Sequence, residues 1–126
     1  MEQKPFKPFL VSCGLKEGYE SSGRVHTTSD ARNIIQRWME TRLKQQKKIT
    51  AGTLLEGQFI YPQINGEEIS STFEPAIHYK GIIREDASDE EALEMLEDLA
   101  TDLAKNLNQK RVHVQFGTSY FIIERP

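Results

Sequence analysis

A second cysteine is missing from the 126 residues, so Cys13 can form no internal disulfide and no cysteine cluster can hold a metal. Cys13 falls within an alternating apolar pattern, which suits a buried structural thiol better than a nucleophile. Long apolar runs are missing too. None approaches the roughly 20 residues a membrane-spanning helix needs, and the N-terminus lacks a signal peptide's apolar core. A cytoplasmic protein with no membrane association is therefore expected. The three histidines, His26, His78 and His113, show no paired ligand spacing, so neither a metal nor a cofactor is expected. There is no Gly-x-Ser-x-Gly elbow, Walker A loop or dinucleotide fingerprint, and Gly14, Gly18 and Gly23 stand too far apart for a tight phosphate cradle.

What is present describes one globular domain. Hydrophobic residues at 37% and charged residues at 28% exclude a disordered chain, and the length allows a real core. Residues 1–8, with two prolines and little alternation, read as an arm; residues 9–126 read as a single domain.

The most legible stretch runs from Ser88 to Gln109. At 100° per residue, Ala92, Leu93, Met95, Leu96, Leu99, Ala100, Leu103, Ala104 and Leu107 share one half of a helical wheel. Ser88 stands three before Glu91, the spacing of a capping box that satisfies first-turn amides. An earlier helix is capped by Thr28 or Ser29, with Ala31, Ile34, Ile35, Trp38, Met39 and Leu43 as its buried stripe. Arg42 projects from the middle of that stripe, where it either snorkels past the sheet edge, pairs with an acid of the second helix, or reaches a ligand.

The net charge of −3 conceals an asymmetry. Residues 88–109 hold seven acids against Lys105, giving −6, whereas residues 29–48 hold six bases against Asp30 and Glu40, giving +4. Two helices of opposite sign are expected to lie side by side or to meet across a subunit contact. With an acidic neighbour and a net acidic chain, the basic helix does not favour nucleic acid as a partner.

Residues 9–15 alternate as a first strand. Residues 53–61 and 73–85 read as two more strands, joined through Ile64-Asn65-Gly66-Glu67, where Asn-Gly signals a type I′ hairpin turn. Near the end, Val112, Val114 and Phe116 alternate with His113 and Gln115, and Tyr120 to Ile123 is apolar throughout. Gly117-Thr118-Ser119 is either a bulge in one strand or a hairpin tip.

The order strand, helix, strand, strand, helix, strand predicts an α+β fold, the ferredoxin-like split βαββαβ arrangement: a four-stranded antiparallel sheet with two helices on one face. That arrangement is shared by unrelated groups, among them small regulatory trimers, dimeric barrel monooxygenases and tautomerases, so it does not choose a function. Tautomerases use an amino-terminal proline, and position 2 here is Glu2. The bare sheet face, with Leu10, Phe59 or Ile60, and Phe121 or Ile123, is too apolar for water, so a homodimer or higher homo-oligomer is expected.

The candidate ligand-binding residues gather in the long loop between the first strand and the first helix: Lys16, Ser21, Ser22, Arg24, His26, Thr27 and Thr28, with Arg42 added from the helix. Hydroxyls, a guanidinium and the free amides of a helix N-terminus suit a phosphate or carboxylate. The leading expectation is thus a small non-catalytic homo-oligomer that binds an anionic small molecule, a metabolite or nucleotide, as a sensor, sequestering protein or regulator. One alternative is an enzyme of the dimeric α/β-barrel or isomerase type, with His26, His78 or His113 as acid or base in a pocket between sheet and helices. The other is an interaction module that uses the bare sheet face. No catalytic residue is assigned.

Overall fold

The computed structural model describes residues 1–18 and 22–125. The elements are β1 (Pro8–Gly14), α1 (Thr28–Lys44), β2 (Thr53–Asn65), β3 (Glu68–Ile82), α2 (Asp89–Asn106), β4 (Arg111–Phe116) and β5 (Ser119–Glu124). The strands form one antiparallel sheet in the order β2-β3-β1-β4-β5. The α+β class and the two helices agree with the sequence pattern, and the order of the first four strands is consistent with the split βαβ arrangement. The strand count is not four but five. Gly117 turns at φ 58°, a left-handed conformation that costs glycine little, and Phe116 pairs directly with Ser119. The final apolar run therefore folds back as a hairpin.

The other hairpin turns one residue later than Asn-Gly implies. Asn65 pairs with Glu68, leaving Gly66 and Glu67 as the central residues, and only Gly66 has positive φ, at 64°. A type I′ turn would need positive φ at both.

Period-two alternation decides which side chains enter the core. Phe9, Val11, Cys13 and Leu15 from β1 and its end, Ile77 and Tyr79 from β3, and Val112 and Val114 from β4 face the helices and are buried. Onto them α2 lays Ala92, Met95, Leu96, Leu99, Leu103 and Leu107, and α1 lays Ala31, Ile34, Ile35 and Trp38. Phe121 and Ile123 join the same layer, so they leave the bare face that the sequence pattern gave them to Leu10, Phe59 and Ile122. Leu43 was expected in the buried stripe of α1 but is 57% exposed; Arg42 takes the inward position at 2%. Its guanidinium lies 5.8 Å from the centre of the Trp38 ring, and it bonds Glu94 and Asp98 of the acidic helix. The oppositely charged helices do pack together.

Thr27, one residue before the expected start, caps α1. Its hydroxyl accepts from Asp30 N while the Asp30 carboxylate accepts from Thr27 N, a complete capping box. Ser88 and Glu91 form the same pair at α2.

Candidate functional site

With the helix side of the sheet filled, the open side carries the cleft. Its floor is a transverse row set by register: Leu55, His78, Ser12, His113 and Ile122 lie opposite one another on five neighbouring strands. Ser12 is the centre of that row. Its hydroxyl bonds His78 Nδ1 at 2.7 Å, and on the other side His113 Nδ1 bonds the Tyr120 hydroxyl at 2.6 Å. The His113 and Tyr120 rings also stack, 22° from parallel with centroids 6.0 Å apart.

Phe59 forms the roof. It sits on β2, with β3 and β1 between it and β4, and flat strands would separate it from His113 by roughly 14 Å at their usual spacing. Instead its ring centroid lies 6.0 Å from His78 and 6.2 Å from His113, at interplanar angles of 86° and 65°. The β2–β3 hairpin must therefore curl over the open face. It is free to do so because β3 pairs with β1 only over Ala76–Ile82, and its first half extends beyond the sheet. Gly57 makes room for the curl: a Cβ there would lie 2.8 Å from His78 Nε2.

The result is a cleft of about 680 Å³, in the usual range for a small-molecule site. Leu10, Phe59, Ile60 and Tyr120 supply apolar and aromatic wall. Glu74 is the carboxylate of the lining and has no hydrogen-bond or ion-pair partner among the described residues. It lies against the backbone of β1, where a Cβ on Gly14 would come within 2.6 Å of Glu74 Oε1. Lys16, Lys110 and Arg111 supply positive charge. The Lys16 backbone is held by Gln109, whose Nε2 donates to Lys16 O at 2.9 Å and to Leu107 O at 3.1 Å. Asn108, in a left-handed turn at φ 51°, donates from Nδ2 to Glu17 Oε1. The exit of α2 is thereby tied to the exit of β1, and one end of the cleft is fixed.

Burial holds the His113 imidazole below its ordinary pKa, with Arg111 adding to the effect. The neutral ring is consequently the favoured form near neutral pH. No group of three or more His, Cys, Asp or Glu positioned for a metal ion occurs among the described residues.

Of the residues proposed from sequence, Lys16 lines the cleft. Ser21 lies outside the described residues. Ser22, Arg24 and Thr27 are exposed. His26 is buried and bonds Glu17 Oε2 at 2.7 Å, with Asp30 3.7 Å from its other nitrogen. Thr28 Oγ1 is buried without a hydrogen-bond partner among the described residues. Arg42 is committed to Glu94, Asp98 and the Lys48 carbonyl behind the sheet. The structure thus does not bring Arg42 together with Lys16.

His78 and His113, two of the acid or base candidates, converge on either side of β1. The cleft also lies on the opposite face from a pocket between sheet and helices, a space the core fills. Glu74, Ser12, Phe59 and Tyr120 were missed. Strand parity alone puts Ser12 and His78 on their open faces; the curl that brings Phe59 over them leaves no local signal.

No protein-family model and no curated protein matches the chain. Solved structures do. The chain is similar in fold to a phage SAM lyase. Against that enzyme in complex with S-methyl-5'-thioadenosine, the TM-score is 0.70 at 15% identity, covering 99% of this chain and 95% of the other. Against a phage SAM lyase in the apo state, the TM-score is 0.71 at 16% identity, with the same coverage. At such identity the likeness is one of fold.

Proposed function

We propose that the open-face cleft binds an adenosyl sulfonium of the S-adenosylmethionine (SAM) class and acts on it as a lyase. The observation that carries this reading is the cleft's composition, aromatic rings together with a lysine and a carboxylate that has no partner among the described residues, in a fold similar to a phage SAM lyase. Phe59, Tyr120 and the imidazole rings suit a purine face. Glu74 and Lys16, near Gly14, match the ammonium and carboxylate of an amino-acid head. The reading places the sulfonium between the ring contacts and the head contacts, over the apolar wall of Leu10 and Ile60.

That wall has a chemical consequence. When the carbon–sulfur bond breaks, its electron pair stays on sulfur and the sulfonium charge is lost, while an oxygen of the substrate's own carboxylate bonds the released carbon and closes a lactone. A transition state with less charge on sulfur is favoured over the sulfonium ground state in a poorly hydrated, apolar setting. Glu74 supports the reading as an orienting group for the head rather than as a counter-ion to sulfur.

The anionic-metabolite expectation survives within this reading as the contact between Lys16 and a carboxylate. The homo-oligomer expectation does too: Ile60, Ile64, Ile69 and Phe73 are each more than 60% exposed along the β2–β3 hairpin, more apolar surface than a lone small domain usually leaves to water.

Incubation with SAM followed by mass spectrometry tests the proposal. Release of S-methyl-5'-thioadenosine, lost on Glu74→Gln, is expected. Saturable binding without turnover would instead select the non-catalytic binding protein, and no binding of either compound would refute both.

A further inference from the structure

The two histidines of the cleft floor share a property that a binding role alone does not require. Each Nδ1 is engaged by a hydroxyl, Ser12 for His78 and Tyr120 for His113, and neither ring has a carboxylate partner among the described residues. A hydroxyl serves as donor or acceptor, so it tolerates the neutral ring and gives the charged ring no compensating charge. Both rings lie against the same Phe59 ring and flank the same Ser12. The charged groups around them are mostly of one sign. On β3 Lys80 shares the face of His78; on β4 Arg111 stands two residues from His113, paired to Glu124 of β5 at 3.3 Å. Lys16 and Lys110 line the cleft, and Glu74 is its single acid among the described residues. The helices, packed on the other side, present nothing to either ring.

From this we propose that His78 and His113 are specificity-determining residues. Kept neutral, they admit a cationic sulfonium; once protonated, they repel it while still admitting the neutral thioether that remains after cleavage. The proposal rests on the sulfonium reading given above and adds to it how the site distinguishes substrate from product. The two ligands differ at sulfur by one unit of charge, and the row lies on the cleft floor beneath the aromatic roof. Each added proton acts on the sulfonium without a shielding carboxylate and leaves the thioether nearly unaffected.

A pair of non-reacting probes separates the two ideas: S-methyl-5'-thioadenosine, and its S-methylated cation, 5'-dimethylsulfonio-5'-deoxyadenosine. The pair differs by one methyl group and one charge, and neither carries the amino-acid head. Titration calorimetry of both from pH 8 to pH 5 is the experiment. The cation is expected to weaken about three- to tenfold for each ring that protonates, the scale of one unit charge acting through partly solvated surroundings. The thioether should change less than twofold. In His78→Gln/His113→Gln both probes should bind more weakly, because part of the purine wall is altered, but the ratio of their affinities should lose its pH dependence; cooperative thermal unfolding shows that the variant is folded. Parallel pH curves for the two probes overturn the role of the histidines and leave the sulfonium reading standing. So does a pH dependence that survives in the variant. Failure of both probes to bind the wild-type protein overturns the sulfonium reading, and this inference with it.

Discussion

Arg42 grips Glu94 with both prongs of its guanidinium, Nη1 to Oε1 at 3.1 Å and Nη2 to Oε2 at 2.8 Å, joining the basic helix to the acidic one. Nη1 also reaches Asp98 at 2.7 Å and Nε donates to the Lys48 carbonyl at 2.8 Å. The hydrogen bond to Glu94 is the largest influence raising the Arg42 pKa, against the opposing effect of burial. This guanidinium braces the layer behind the sheet, and the cleft in front depends on it only through the fold.

Arg42→Ala should destabilise the protein by about 2 to 3 kcal/mol, from lost charged hydrogen bonds and lost packing on Trp38. The loss should fall short of that for a fully buried pair because Glu94 and Asp98 are half exposed and hydrate once freed. Arg42 holds the Glu94 carboxyl below its ordinary value by hydrogen bonding. The stabilisation is therefore present above the ordinary carboxylate pKa and is lost as pH falls through the lowered folded value. Urea unfolding from pH 7 down to pH 3 should show a steeper acid loss in the wild type than in Arg42→Ala. Parallel curves would show that the pair contributes nothing to acid stability.

Cys13 should be chemically silent in the folded state. It is fully buried, and burial pushes its thiol up to about 12, so almost no thiolate exists at neutral pH. A disulfide reagent at pH 8 should label it only in denaturant. Prompt labelling of the native protein would mean that the β1 core opens readily.

The last strand separates two kinds of apolar side chain one residue apart. Ile123 packs against the core, whereas Ile122 stands on the open face at 38% exposed. Ile123→Asp should unfold the chain by placing an unpaired charge in the core layer. Ile122→Asp should leave thermal stability within about 1 kcal/mol, whereas Ile69→Asp on the exposed β2–β3 hairpin should dissociate the proposed homo-oligomer. Sedimentation velocity reads the second effect. A wild-type monomer throughout the micromolar range would contradict the assembly.

Ser88 and Glu91 announced their helix because a capping box is local, complete within four residues. Thr27 and Asp30 do the same at α1, one residue off the expected cap. The floor of the cleft could not be read that way. Ser12 and His78 are 66 residues apart and meet only through strand register, and Tyr120 reaches His113 only because Gly117 closes a hairpin where a bulge was equally compatible with the sequence. The curl of β2–β3 that carries Phe59 over the rings is a property of the whole sheet. Arg42 shows the converse. Its odd place on the wheel was legible, but the choice among solvent, partner acid and ligand required the position of α2.

The most direct measurement is an NMR titration with S-methyl-5'-thioadenosine, using side-chain labels on histidine, phenylalanine, tyrosine and tryptophan. Saturable shifts at His78, His113, Phe59 and Tyr120, with Trp38 and Tyr79 on the helix side unmoved, are the expected result. Saturable shifts confined to His26 and the start of α1, or no saturable shift at all, would contradict the placement of the site on the open face of the sheet.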